Sequence, residues 1–88
     1  GTIENAYSIL NGEYEIIEAE IIESSELINK ELKNSNLPDE IRVGAILRGK
    51  DVIIPRSSFV FKKEDIVVFL AKKDSLNIVE NLFRISPI

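Results

Sequence analysis

Two apolar strands joined by a tight turn, with a third strand after them, constrain the fold of this chain more than any other feature. The first runs from Ile41 to Arg48 and leads into a Gly-Lys-Asp turn at residues 49–51. The second, residues 52–54, stops at Pro55, which has no N–H to donate to a β-ladder. The third, residues 66–71, is apolar on both faces, so we expect it either at the centre of a sheet and covered on both sides, or covered by a second subunit.

Alternation of apolar and polar residues predicts another strand and assigns the faces. Residues 14–23 alternate with period 2, which is typical of a half-exposed strand, and residues 59–61 add a short apolar segment. The residues predicted to share the apolar face of the first of these strands are Ile17, Ala19 and Ile21. The residues predicted to share one apolar face of the hairpin's first strand are Ile41, Val43, Ala45 and Leu47.

Three segments have the spacing of amphipathic helices. Apolar residues at i, i+3, i+4 and i+7 predict a helix over residues 3–10, and a second, short helix is predicted over residues 24–33. Asp74 is a suitable N-cap for a last helix, which Ser86-Pro87 ends. Helices and strands in this order predict an α+β fold, with a small, mostly antiparallel sheet and flanking helices.

The first predicted helix has few apolar residues to bury. Thr2 would cap its start, and the Asn-Gly pair at residues 11–12 would end it. We therefore expect residues 1–13 to be a connector helix from a missing upstream domain, and residues 14–88 to form one domain.

Composition excludes several classes of function. The chain of 88 residues has no cysteine and no histidine, so disulfides, thiolate metal sites and imidazole catalysis are absent, and we expect no enzyme. A net charge of −4 argues against a nucleic-acid partner. No apolar run approaches the roughly 18 residues that span a bilayer, and a cytosolic protein is the simplest interpretation.

Acidic residues are concentrated at the start of the chain. Residues 1–26 contain seven Glu and no Lys or Arg. This pattern indicates either a solvated strand face or an acidic surface that meets a basic partner or a cation. Oxygen ligands from Glu15, Glu18 and Glu20 suit a hard cation, but no Asp/Asn-rich loop accompanies them, and we predict no metal site.

Basic residues gather around the hairpin. Arg48, Lys50 and Arg56 are predicted to lie near one end of it, where they either solubilise the hairpin or contact an anion at a subunit interface. Apolar residues near the same strands form plain core or a dimer seam. Because a sheet too apolar for one short chain favours self-association, we predict a homodimer. The predicted interface residues are Ile53, Ile54 and Val68.

The order and spacing of these motifs resemble a known family. Residues 43–49, Val-Gly-Ala-Ile-Leu-Arg-Gly, are followed by Val-Ile-Ile-Pro at residues 52–55 and by Glu-Asp-Ile-Val-Val-Phe-Leu at residues 64–70. With the Leu-Pro turn at residues 37–38, this series resembles the C-terminal domain (RCK_C, or TrkA-C) of potassium-conductance regulators over residues 14–85. The ending is particularly similar to that of Trk potassium-uptake regulators. The family usually has Gly-Asp where this chain has Glu64-Asp65.

The resemblance implies a cytosolic regulatory domain. Such domains lie at the inner face of the plasma membrane, dimerise, and gate a potassium-transporting membrane subunit according to bound ligands. A preceding Rossmann domain would bind NAD or ATP, and no cofactor is expected in these residues. Some relatives bind cyclic di-AMP at the dimer interface, and position and charge make Arg48, Pro55 and Arg56 the candidates for such a ligand. The alternative is a ligand-free dimerisation or interaction module of another cation or anion transporter.

Overall fold

A single antiparallel sheet organises the domain in the computed structural model, which describes residues 3–83. Its strands are joined in the order β1-β2-β5-β3-β4, and every neighbouring pair is antiparallel. The α+β fold with a small antiparallel sheet is therefore confirmed. The strands are β1 (Ile3–Ile9), β2 (Tyr14–Glu20), β3 (Ile41–Arg48), β4 (Asp51–Ile53) and β5 (Ile66–Lys72).

The fully apolar strand lies at the centre of the sheet, as its composition predicts. Phe69 of β5 pairs with Ile17 of β2 on one side and with Val43 of β3 on the other. One face of β5 is buried at Val67 and Phe69, whereas Val68 on the opposite face is half-buried. The central position is therefore confirmed. The expected cover on both faces is not found within residues 3–83, because Val68 is only half-buried.

The segment predicted as a connector helix is a strand instead. β1 pairs with β2, with Tyr7 opposite Ile16, and a short 3-10 turn at Leu10–Gly12 links the two strands. Asn-Gly favours hairpin turns because both residues accept positive φ, and here Asn11 has φ 57° and Gly12 φ 86°. Thr2 lies outside the described residues, and the connector role stays a prediction.

The prediction of a short helix over residues 24–33 is also wrong. Turns and a 3-10 helix at Leu32–Asn34 occupy this segment. Some of its backbone N–H groups make local turn bonds, such as Lys30 to Leu27, and others donate to distant carbonyls, from Asn29 to Phe61 over 2.8 Å and from Leu32 to Phe59 over 2.8 Å. The apolar segment at residues 59–61 therefore lies beside this crossover, and the two share an isolated β-bridge.

A bulge in β3 changes the predicted faces of that strand. The register with β5 shifts between Val43 and Ala45, around the glycine at position 44. An extra residue in one strand moves the following side chains to the other face. Ile46 is consequently fully buried, whereas Ala45 and Leu47 are only half-buried, so the prediction that they share a face with Ile41 is wrong.

The last helix, α1 (Leu76–Phe83), covers one face of the sheet. A 3-10 turn at Lys73–Ser75 precedes it and contains Asp74, the predicted cap. The ring of Phe83 stacks on Phe69 with centroids 5.3 Å apart. The predicted end at residues 86–87 lies outside the described residues. The buried hydrophobic residues are Ile17, Ala19, Ile21, Leu27, Ile41, Ile46, Phe61, Val67, Phe69, Ala71, Val79 and Phe83.

Candidate functional site

Arg48, the first predicted ligand-binding residue, is held by its own chain. Its Nε donates to Asp65 Oδ1 over 2.7 Å, and its Nη2 donates to Asp65 Oδ2 over 2.7 Å and to the Val60 carbonyl over 3.1 Å. The guanidinium carbon lies 4.9 Å from the centre of the Phe59 ring. The hydrogen bond that Arg48 donates to the Asp65 carboxylate raises the pKa of Arg48 further above its usual range, so this side chain stays charged.

Asp65, the buried carboxylate that pairs with Arg48, was not predicted as a site residue from the sequence. Its side chain is 1% exposed, and Oδ2 also accepts a hydrogen bond from the Lys62 backbone N–H over 2.8 Å. The residue before it, Glu64, has φ 73°, a backbone conformation that favours glycine. The Gly-Asp of the resembled family was the available signal, because it marks a left-handed turn followed by a fixed carboxylate.

The other predicted ligand-binding residues lie beyond β4. Pro55 is half-buried, and Arg56 is exposed. Lys50, in the hairpin turn, is exposed as well. Arg48 forms a charge-neutral pair with Asp65, so Arg56 and Lys50 are the more accessible cations of this basic group. The ligand-binding assignment of Arg48, Pro55 and Arg56 stays a prediction.

The three predicted interface residues occupy different surfaces. Ile53 pairs with the buried Ile46 and packs against the core. Ile54 follows β4 and is 74% exposed. Val68 faces the opposite side of the sheet from Ile53, because its neighbour Val67 pairs with Ile46. One flat interface therefore cannot be centred on all three residues, and their role in dimerisation stays a prediction.

The side of the sheet opposite α1 carries a second apolar surface, here called the open face. The strand register identifies the residues of the open face, because residues that are paired across neighbouring strands point to the same side of the sheet. Part of it forms a shallow groove of about 350 Å³, lined by Ile16, Val68 and Leu70 among others. The apolar residues of the open face are Tyr7, Ile9, Tyr14, Ile16, Ala45, Leu47, Val52, Ile66, Val68 and Leu70.

Acidic side chains on β2 are divided between the two sides of the sheet. Glu18 and Glu20 share the open face, opposite Val68 and Ile66, whereas Glu15 pairs with Ala71 and points the other way. Within residues 3–83, no three acidic side chains lie close enough together to hold a metal ion. In the same part of the chain, no helix is long and apolar enough to cross a membrane.

Comparison with known proteins gives the family. The TrkA-C domain family matches residues 16–84. A Trk system potassium uptake protein TrkA from Azorhizobium caulinodans is 38% identical over 98% of this chain, which corresponds to 19% of that protein. A TrkA homolog from Archaeoglobus fulgidus is 34% identical over 73% of the chain and 15% of its own length.

A transporter is also among the similar proteins. The K(+)/H(+) antiporter NhaP2 of a Shewanella species is 29% identical over 88% of this chain and 13% of its own length. The chain therefore spans less than a fifth of each of these three relatives.

Proposed function

The chain belongs to the TrkA-C domain family, and from that membership we propose that it is the regulatory domain of a potassium-uptake system. In this proposal it gates potassium movement through a membrane subunit from the cytoplasmic side of the membrane. The observation that carries the proposal is the match over residues 16–84, together with relatives named as Trk system potassium uptake proteins. NAD or ATP would bind in an upstream Rossmann domain rather than in these residues.

Rubidium uptake in cells tests the regulatory role. The full-length protein is compared with a version from which residues 14–88 are deleted, in a host that lacks its own potassium-uptake regulators. We expect comparable amounts of both proteins but loss of the normal response of uptake to external potassium. Unchanged uptake and unchanged regulation after the deletion would overturn the proposal.

Binding of a small anionic ligand such as cyclic di-AMP is the finer part of the proposal. Exposed Arg56 and Lys50 support it, since guanidinium and ammonium groups bind phosphate. Arg48 is an unsuitable probe because its loss also leaves Asp65 without its cation. We expect cyclic di-AMP to release heat on binding to the wild type and not to Arg56→Ala, with Lys30→Ala as the exposed control. Absence of heat with the wild type rules out this ligand.

A second candidate function follows from the antiporter relative. In that alternative the domain is a ligand-free dimerisation or interaction module attached to another cation or anion transporter. The full-length coding sequence separates the two: an upstream strand followed by G-x-G-x-x-G and a helix supports the regulator, whereas transmembrane segments in the same chain support the module.

A further inference from the structure

The two edges of the sheet differ in how they are protected. An unpaired edge strand exposes backbone N–H and C=O groups to pairing with another chain, and proteins usually block it with Lys, with Pro or by making the strand very short. β4 follows this rule, since it has three residues and Pro55 lies shortly beyond it. β1, at the opposite edge, has seven residues and contains no Lys, Arg, Pro or Gly. The edge formed by β1 is therefore open to pairing.

β1 is regular enough to receive a further strand. Its register with β2 shifts between Ile3 and Asn5 and is continuous from Asn5 to Ile9. Every residue of β1 except Ile9 is exposed. Within residues 3–83, no other segment forms backbone hydrogen bonds with the outer side of β1. Because alternate residues of an edge strand direct their N–H and C=O groups outward, this strand is a template for an extended segment.

The surface beside β1 is acidic. Glu4 lies on β1 itself, and Glu15 and Glu18 lie on the neighbouring β2, where they accept hydrogen bonds from Ser8 Oγ over 3.3 Å and from the Asn5 amide over 3.4 Å. In the part of the chain that the structure describes, none of these three carboxylates forms an ion pair. The spacing of strands puts β2 about 10 Å from a segment docked on β1, which is about the Debye length at ~0.1 M salt, so the negative charges of β2 act on that segment.

We infer that the edge of β1 binds an extended, basic segment of a partner protein as a sixth strand of the sheet. Backbone hydrogen bonds with β1 supply the affinity, and the acidic side chains favour Lys and Arg in the segment. Tyr7, which is 54% exposed near the middle of β1, offers its ring to one of these cations. This inference goes beyond the proposed function and does not rest on it.

The same charges argue against a second copy of this chain at this edge. Pairing of β1 with another β1 would bring together Glu4, Glu15 and Glu18 of two copies. Residues 1–26 contain no Lys or Arg that could offset this repulsion. A basic segment supplies both the hydrogen-bonding backbone and the positive charge that the edge of β1 lacks.

A peptide titration followed by amide NMR tests the inference. The probe is a capped seven-residue peptide in which Lys and Val alternate, with Lys at both ends, added to the 88-residue chain at about 50 mM salt. We expect saturable shifts of the amide signals of β1 and β2, with a dissociation constant below about 1 mM. Alternate amides of β1 should also exchange their hydrogens more slowly when the peptide is bound.

Two further peptides separate the contributions of charge and backbone. The first has Glu in place of Lys, and the second keeps every side chain but carries methyl groups on two adjacent backbone nitrogens, which removes one donor from each edge of the peptide. We expect both peptides to bind at least about tenfold more weakly than the probe.

A matched pair of variants locates the binding site. Tyr7→Lys places a like charge on the edge of β1 and should weaken binding of the probe by about tenfold. Val52→Lys makes the same change at a 68% exposed side chain of β4 and should leave binding unchanged. Circular dichroism should show both variants folded, because both side chains reach water. If Tyr7→Lys unfolds, the peptide series still decides the matter, because it uses the wild-type chain.

The inference is overturned if about 5 mM probe causes no shifts, if the shifts are confined to β4, or if the methylated peptide binds as tightly as the probe. Shifts of the β1 amides with protein concentration in the absence of peptide would assign this edge to a second copy and would also overturn it. None of these results affects the rubidium-uptake test, so failure of this binding edge and failure of the regulatory role are distinguishable.

Discussion

The two faces of the sheet carry similar apolar residues, but the fold buries those of one face and leaves those of the other half-exposed. On the covered face, Phe69 stacks on Phe83 of α1, and Ile17 and Val67 are fully buried beside it. On the open face, Ile16 and Val68, each the neighbour of a buried residue, remain half-buried. Adjacent residues of one strand thus serve different purposes, because alternation directs one to the domain's own core and the next to its surface. The covered face stabilises the fold, and the open face is available for association.

The largest expected effect comes from the matched pair Phe69→Ala and Val68→Ala. Phe69→Ala leaves a cavity beneath α1 and should lower the free energy of unfolding by about 4 kcal/mol. Val68→Ala should lower it by about 0.5 kcal/mol in dilute protein, since little of the open face is covered by the chain itself. Urea unfolding, with the m-value as a check on two-state behaviour, measures both. Equal losses would mean that the two faces do not differ.

Two arginines on opposite faces give the next comparison. Arg48→Met leaves the buried Asp65 carboxylate without its cation and should lower the free energy of unfolding by about 3 kcal/mol. Arg42→Met, on the open face, should change it by less than about 0.5 kcal/mol in dilute protein. Asp65→Asn should cost less than Arg48→Met, about 2 kcal/mol, because the Arg48 side chain is 41% exposed and reaches water.

A double-variant cycle isolates the coupling between these two side chains. If Arg48→Met and Asp65→Asn have additive effects, the ion pair does not fix the turn before β5.

A smaller effect is expected at the turn that begins β5. Glu64 has φ 73°, so Glu64→Gly should raise the free energy of unfolding by about 0.5 kcal/mol, after the entropy that glycine adds to the unfolded chain is subtracted. Lys63→Gly, the neighbouring control without a positive φ, should lower it. Thermal unfolding measures both, and a destabilised Glu64→Gly protein would contradict the left-handed geometry.

The smallest effect is expected at the exposed ion pair of Lys63 and Glu23, which lies 2.6 Å apart (Nζ to Oε1). The hydrogen bond and charge of Lys63 lower the pKa of Glu23, and Glu23 raises the pKa of Lys63. The stabilisation is therefore present at neutral pH, is lost as pH falls through the lowered pKa of Glu23, and is lost again as pH rises through the raised pKa of Lys63.

Lys63→Gln should consequently be slightly less stable than the wild type at pH 7 and equal to it at both extremes. Thermal unfolding across pH checks this expectation. A difference that persists at low pH would assign the effect to something other than the pair.

The strands that have strong local patterns were predictable. The uninterrupted apolar run at residues 66–71 predicts a strand that is either central or covered by a second subunit, and the structure places it at the centre. Simple alternation puts Ile17 and Ala19 on one apolar face, and both are buried. The spacing of residues 3–10 predicts a helix wrongly, because the same spacing also occurs in an exposed edge strand such as β1. The Asn-Gly pair that follows was the better guide, since it favours a hairpin. Apart from the glycine itself, nothing in the sequence around Gly44 predicts the bulge.

The candidate site was less predictable because its contacts are distant in sequence. The sequence predicts Arg48 as an anion contact, which stays a prediction, and it gives no sign of the partner Asp65, which is separated from Arg48 by the rest of the hairpin and the following loop. The apolar spacing of residues 24–33 predicts a helix. The segment instead bonds to carbonyls at residues 57–61, and this pairing depends on the fold and leaves no local signal in the sequence. Charge position on the open face also depended on strand order, which places Arg42 and Glu18 on either side of β5.

The most direct test of the difference between the two faces is a dilution series followed by methyl NMR of the isolated chain. We expect the methyl signals of Val68, Leu70 and Ile66 to shift with protein concentration, whereas those of Val67, Ala71 and Val79 should not. Concentration-independent signals throughout, or shifts confined to Val52 and Ile54 at the β4 edge, would contradict it.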